Sequence, residues 1–160
     1  MGEYTTIPVK RETKEILDKI KELEGKDYDA LIRSLILPVE TIQIDLSREV
    51  PPATGYQWFE NRKKVPFDGM ITQITLHFPS GCNGLVEVRI GVDHKDGGLK
   101  WICPIEGFIA LDDTTQTYMI SYPVRKGDYI CAEIYNYDDT YSHKVGIIVT
   151  VRSSPVIRRI

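Results

Sequence analysis

Met70, Thr72, Ile74, Leu76 and Phe78 occupy alternate positions, and after the turn-rich stretch PSGCNG the residues Val86, Val88 and Ile90 take up the same rhythm. A period of two is the mark of β-strands with one face buried. Strands that are apolar on one face need a second layer to cover them, so this run predicts a two-sheet arrangement. The partner strands lie on either side. Ile42, Ile44 and Leu46 alternate in TIQIDL, YQWFE follows the loop VPPATG, and LKWIC, GFIAL, TYMISYPV, YICAEIY and HKVGIIVTV continue to residue 151. Turn residues separate them: PFDG, DHKDGG, Pro104, Asp112-Asp113, Arg125 to Asp128, and Asn136 to Ser142. Eight or nine strands spaced about ten residues apart, with no helical pattern after residue 38, predict an all-β sandwich.

Before residue 38 the period is different. Residues 4 to 9 read as a short extended segment, after which Ile16, Leu17, Ile20 and Leu23 recur at intervals of three and four among Lys and Glu. That spacing predicts an amphipathic helix closed by Gly25. Asp27 is placed to cap a second helix, DYDALIRSLIL, with Leu31, Ile32, Leu35 and Ile36 on one stripe and Pro38 as its stop. The order is strand, helix, turn, helix.

This segment resembles the ribbon-helix-helix family, especially its short archaeal antitoxin-like members. The matching residues are Thr6, Ile7, Val9, Glu12, Thr13, Glu15, Leu17, Asp18 and Ile20, then Tyr28, Leu31, Ile32 and Leu35, roughly a quarter of the chain. The resemblance implies that two chains pair their strands into an antiparallel ribbon and interlock their helices. It places Thr5, Ile7, Val9, Ile16, Leu17, Ile20, Leu31, Ile32 and Leu35 in the oligomer contact. It also implies that Tyr4, Thr6 and Pro8 face a DNA groove, with Lys10 and Arg11 on phosphates. The residue types point the other way: base readout relies on Arg, Lys, Asn or Gln, and Pro8 can donate no hydrogen bond. To residue 39 there are seven basic and eight acidic side chains, so no positive field draws in a polyanion. Oligomerisation is therefore the first reading of residues 1–38, and DNA binding the alternative.

From 39 to 152 the chain resembles a jelly-roll β-sandwich, with Val124 to Ile130 (VRKGDYI) as a turn-and-strand entry; the Cys-Trp-Cys arrangement of antibody domains is absent. Residues 153–160 read as a tail. The fold class is thus mainly β, a jelly roll preceded by a small strand-helix-helix segment. With a formal net charge of −3 the chain is no generic binder of nucleic acid or anionic lipid. It has no apolar run of membrane-spanning length and no signal-peptide core, which predicts a cytoplasmic or virion protein.

Candidate chemistry is sparse. Cys82, Cys103 and Cys131 have no CxxC pairing and read as free buried thiols. His77, His94 and His143 are isolated and complete no zinc or cupin pattern, so no metal and no cofactor is expected. Asp112-Asp113, Asp138-Asp139, Asp93 and Asp96 sit in loops where calcium ligands or paired carboxylates could be built, yet Asp is also an ordinary turn residue. The aromatic residues Trp58, Trp101, Tyr129, Tyr135, Tyr137 and Tyr141 could form a stacking platform for sugars, but sandwiches more often use such rings for packing. No nucleophile, base and acid come together, so no catalytic residue is assigned. The expected function is that of a noncatalytic, self-assembling protein forming homo-oligomers, such as a viral or virus-like coat or decoration component. A dimeric DNA-binding regulator with an effector-binding sandwich is the alternative.

Overall fold

The computed structural model describes residues 10–24 and 39–154. Residues 39–154 form one compact unit, and the single described helix belongs to another. That helix, α1 (Arg11–Glu24), begins with Glu12 in its first turn, where a carboxylate meets the positive end of the helix dipole. The expected second helix lies outside the described residues, as do Tyr4, Thr5, Thr6, Ile7, Pro8, Val9, Leu31, Ile32 and Leu35.

The compact unit contains β1 (Thr41–Asp45), β2 (Arg48–Val50), β3 (Thr54–Tyr56), β4 (Arg62–Lys64), β5 (Gly69–Phe78), β6 (Val86–His94), β7 (Gly98–Cys103), β8 (Thr114–Val124), β9 (Tyr129–Asn136) and β10 (His143–Ser153). One sheet has the order β1-β10-β5-β8, with β2 also on β10; the other has the order β3-β9-β6-β7, with β4 also on β9. All pairings are antiparallel. If β1 with β2, and β3 with β4, each count as one interrupted strand, the eight positions connect as first-last-third-sixth and second-seventh-fourth-fifth. That is the jelly roll, and the fold is mainly β as the alternation predicts.

The inward faces make one core. Ile71, Ile74, Leu76, Phe78, Val145, Ile147, Val149 and Val151 from the first sheet meet Val86, Val88, Ile90, Val92, Ile130, Ala132 and Ile134 from the second, all fully buried. Three features depart from the sequence pattern. Simple alternation puts Met70 and Thr72 with Ile74, but β5 carries a bulge: Ile71 pairs with Val151 and Gln73 with Thr150, leaving Thr72 opposite no residue of β10. The extra residue resets the alternation, so Ile71 enters the core and Met70 does not. Arg62, Lys63 and Lys64, which show no apolar alternation, form β4 against Cys131, Ile130 and Tyr129. Much of YQWFE is turn, and GFIAL contributes only the bridge from Ile109 to Val88.

Candidate functional site

The N-terminal site residues that can be placed lie in or beside α1. Lys10 and Arg11 are exposed, and the Arg11 guanidinium sits 3.4 Å from Glu15 one turn on, which offsets part of its charge. Ile16 is 50% exposed. Leu17 and Ile20 fall within α1.

The cysteines are free and buried. Burial, reinforced by Asp112 and Asp138, pushes the Cys82 thiol up to about 11, and burial with Asp93 nearby pushes Cys131 up to about 12. Burial raises Cys103 as well. All three are held protonated, which removes the thiolate that nucleophilic or redox chemistry needs.

The loop carboxylates do not converge. Among the described residues no group of His, Cys, Asp or Glu side chains is arranged to hold a metal ion. Asp112 accepts a bond from the Asn83 amide, and Asp138 accepts from Thr140 N, Tyr141 N and His143 Nε2 at 2.8, 3.0 and 3.0 Å. These bonds, that of His143 first, hold the Asp138 carboxyl below its ordinary range. His143 is not isolated but buried in this pair, because its position on β10 has the inward parity of Val145 and Ile147.

His94 is not isolated either. DHKDGG is only partly a turn: Asp93 and His94 complete β6, and His94 continues the inward parity of Val92 to the open end of the sandwich. There its Nδ1 lies 2.8 Å from Asp128 on the β8–β9 turn and its Nε2 lies 2.9 Å from the Tyr122 hydroxyl on β8. An ionised Asp128 can only accept, so the imidazole donates to it through Nδ1. Burial works to raise Asp128, but bonds from Arg125 N, His94 and Lys95 N outweigh it and lower the carboxyl overall. Tyr122 is raised by burial and by Asp128, the opposite of an activated phenolate. A cavity of about 500 Å³ opens beside the chain, with Lys100 and Arg125 balanced by Asp96 and Asp128. The arrangement ties the two sheets and two turns together.

On the outer face of the second sheet the structure brings most of the sequence-selected aromatics onto one surface. Arg89 lies 3.9 Å from the Trp101 ring centre and 4.5 Å from that of Phe108. Phe108 meets Tyr135 edge-on at 5.8 Å, and Tyr135 stacks on Tyr137 at 6.3 Å. Arg62 lies over Tyr129 at 4.6 Å and near Trp58 at 5.7 Å. Register explains the grouping, because Tyr129, Tyr135, Arg89 and Asp93 all have outward parity on the paired strands β9 and β6. Phe108 and Arg89 completed this strip without being singled out in the sequence; the outward parity of Arg89 between Val88 and Ile90 was the signal.

The remaining feature is an edge. β8 ends its sheet and, among the described residues, pairs on one side only, with β5. Its eleven residues, TTQTYMISYPV, include no charged side chain, and Met119 is 74% exposed. The other edges are short or charged: β1 carries Asp45, β2 Arg48 and Glu49, β4 three basic residues, β7 Lys100, and β3 has three residues.

No family model matches the sequence, and no curated protein matches it. Among solved structures the chain is similar to one described as the infectious bursal disease virus Gx strain, at 10% identity and a TM-score of 0.41, over 72% of this chain and 32% of that one. It is also similar to a family two carbohydrate esterase from Cellvibrio japonicus, at 13% identity and a TM-score of 0.36, over 77% of this chain and 36% of the other. The chain thus spans about a third of the length of each. Likeness at these TM-scores assigns no function. No described helix is long and apolar enough to cross a membrane.

Proposed function

We propose that the protein is a noncatalytic, self-assembling building block whose sandwich associates through the free edge of β8 and whose N-terminal segment supplies a second contact. The observation that carries this reading is the character of that edge. Unpaired strands offer a row of free N–H and C=O groups to any other chain, and proteins that must stay apart guard them with lysines, brevity or proline. β8 is long and uncharged, with Pro123 its only guard, near one end. Antiparallel pairing of two copies sets no like charges opposite each other, and its main-chain bonds would extend the sheet across the contact. The bulge at Ile120 and Ser121, which face Thr72, bends the strand and leaves Thr114 to Met119 as the straight segment available for pairing.

A single two-fold contact closes at a dimer, whereas two different contacts on one chain can extend into a layer or shell. The half-exposed Ile16 on α1 and the resemblance of residues 4–37 to ribbon-helix-helix segments support the second contact. A viral or virus-like coat or decoration component is the assembly we propose on these grounds.

Light scattering of the full chain across a concentration series tests the reading. Wild type should form dimers or larger particles, and Met119→Lys and Thr117→Lys should reduce the particle mass without lowering the thermal midpoint, because both side chains already face solvent. A monomer at every concentration, or particles whose mass neither lysine changes, overturns the β8 contact.

A further inference from the structure

We propose that the groove beside Tyr135 and Tyr137 binds a neutral saccharide, one sugar ring lying on the open face of Tyr137. This site is on the second sheet and goes beyond the assembly reading, since β8 belongs to the first.

The groove has a volume of about 340 Å³ and is lined by Ala53, Thr54, Gly55, Tyr135, Asn136 and Tyr137. That is near the lower end of small-molecule sites, roughly 300 Å³, and suits one or two pyranose rings better than a folded peptide. Its shape depends on Gly55. A Cβ there would lie 2.3 Å from Cδ1 of Tyr135 and 2.7 Å from the Ile134 carbonyl oxygen, so only glycine lets the Tyr135 ring lie across β3. Ala53, on the rim, has φ 49°, a left-handed conformation that a non-glycine residue adopts only where its surroundings hold it. Its amide is anchored to the Asp138 carbonyl at 2.8 Å.

The occupant follows from the chemistry of the walls. None of the six lining residues is charged, which disfavours phosphates, carboxylates and ammonium groups. One wall is a pair of stacked phenol rings, and Tyr137 is 60% exposed, so a flat electron-rich surface stands open to solvent. A pyranose carries axial C–H groups on one face and hydroxyls around its rim. It therefore fits a site with a bare ring on one side and neutral hydrogen-bonding groups on the other. Those groups are present. The Tyr135 hydroxyl accepts from Gln57 Nε2 at 2.6 Å and keeps its own proton to donate, while the Thr54 hydroxyl, which donates to the Pro51 carbonyl, keeps lone pairs to accept. Asn136 shapes the floor without contributing: its Nδ2 donates to the carbonyls of Val50, Pro51 and Tyr141, and its Oδ1 accepts from Asp138 N.

The test is calorimetric titration of the full chain with cellopentaose, xylopentaose, mannopentaose, maltopentaose and chitopentaose, and separately with a polyproline peptide. At least one saccharide should bind. Tyr137→Ala should weaken that binding at least about tenfold, the loss of roughly 1.4 kcal/mol of stacking, while Tyr137→Phe retains most of it. Phe59→Ala, which removes an exposed ring outside the groove, should leave it unchanged. Thermal midpoints of the variants, recorded alongside, show that the fold is intact. Absence of binding to all five saccharides overturns the proposal, as does affinity indifferent to Tyr137→Ala. Tyr137-dependent binding of the polyproline peptide alone would reassign the groove to a protein partner and overturn it too.

Discussion

Arg89 is held between the rings of Trp101 and Phe108, and its Nε lies 2.7 Å from a carboxylate oxygen of Glu133, a residue only 3% exposed. Removing the guanidinium would leave a buried carboxylate without its counter-charge, the costly half of a buried ion pair. Arg89→Ala should therefore destabilise the fold by about 3 kcal/mol in denaturant unfolding, and Glu133→Leu added to it should recover part of the loss. A single-variant cost below about 1 kcal/mol would show that Glu133 finds water instead. The aspartates give the molecule its response to acid. Asp128, Asp138 and Asp45 titrate lower in the folded chain than in an unfolded one, where Asp sits near 3.9. Lowered folded values mean that the ionised forms favour the folded state above the unfolded value, and that this contribution disappears as pH falls through the folded values. The thermal midpoint should drop between pH 5 and pH 2. Asp128→Asn should start lower at pH 7 and fall less over that window; an equally steep fall would assign the acid response to other groups.

At the scale of strands, what could be read in advance is whatever depends on alternation alone. Val86, Val88 and Ile90 are buried as their spacing predicts, because β6 runs regularly across that stretch. Met70 and Thr72 depart from the alternation because a bulge is a one-residue event in pairing with a neighbour, and Thr72 carries no local sign of it. Nor could β4 be foreseen: Arg62 to Lys64 are a strand because β9 offers them an edge, not because three basic residues favour extended structure. Gly69 is a further case of pairing dictating a residue. A Cβ at this position would lie 2.2 Å from the Arg152 carbonyl oxygen and 3.0 Å from its carbon, both backbone atoms of β10 that cannot move aside alone. Gly69→Ala should cost about 1 to 3 kcal/mol and speed amide exchange at Ser154, whose N–H donates to Asp68 O. Gly146→Ala, whose nearest neighbour at 3.0 Å is the side-chain Cβ of His77, should cost less. The reverse order would mean that the β5–β10 end opens easily.

For the molecule as a whole, the core and the proposed contacts divide along the chain. Among the described residues, the buried core falls between Ile44 and Val151. The ends of that unit are clasped: Glu40 N donates to Ser153 Oγ and Ser153 N to the Glu40 carbonyl, each at 2.8 Å. The aromatic strip and the β8 edge lie within the same unit; the sequence offers the tyrosines and tryptophans as a stacking platform without saying which of them share a face, and it gives no sign of the edge. Arg89 meets Tyr135 through the register of β6 with β9, and Phe108 reaches them beside the bridge from Ile109 to Val88, while a free edge is a property of sheet order that no single strand reveals. A chain cut to residues 39–154 should keep all of these. Its thermal midpoint should stay within about 5 °C of the full chain, the shift that roughly 1 kcal/mol produces at this size. It retains the β8 contact but not the N-terminal one, so light scattering should find it halted at the dimer that a two-fold strand pairing closes, while the full chain goes further. A fragment that builds the same particles as the full chain would remove any need for residues 1–38 in assembly, and one that unfolds without cooperativity would show that the sandwich depends on them.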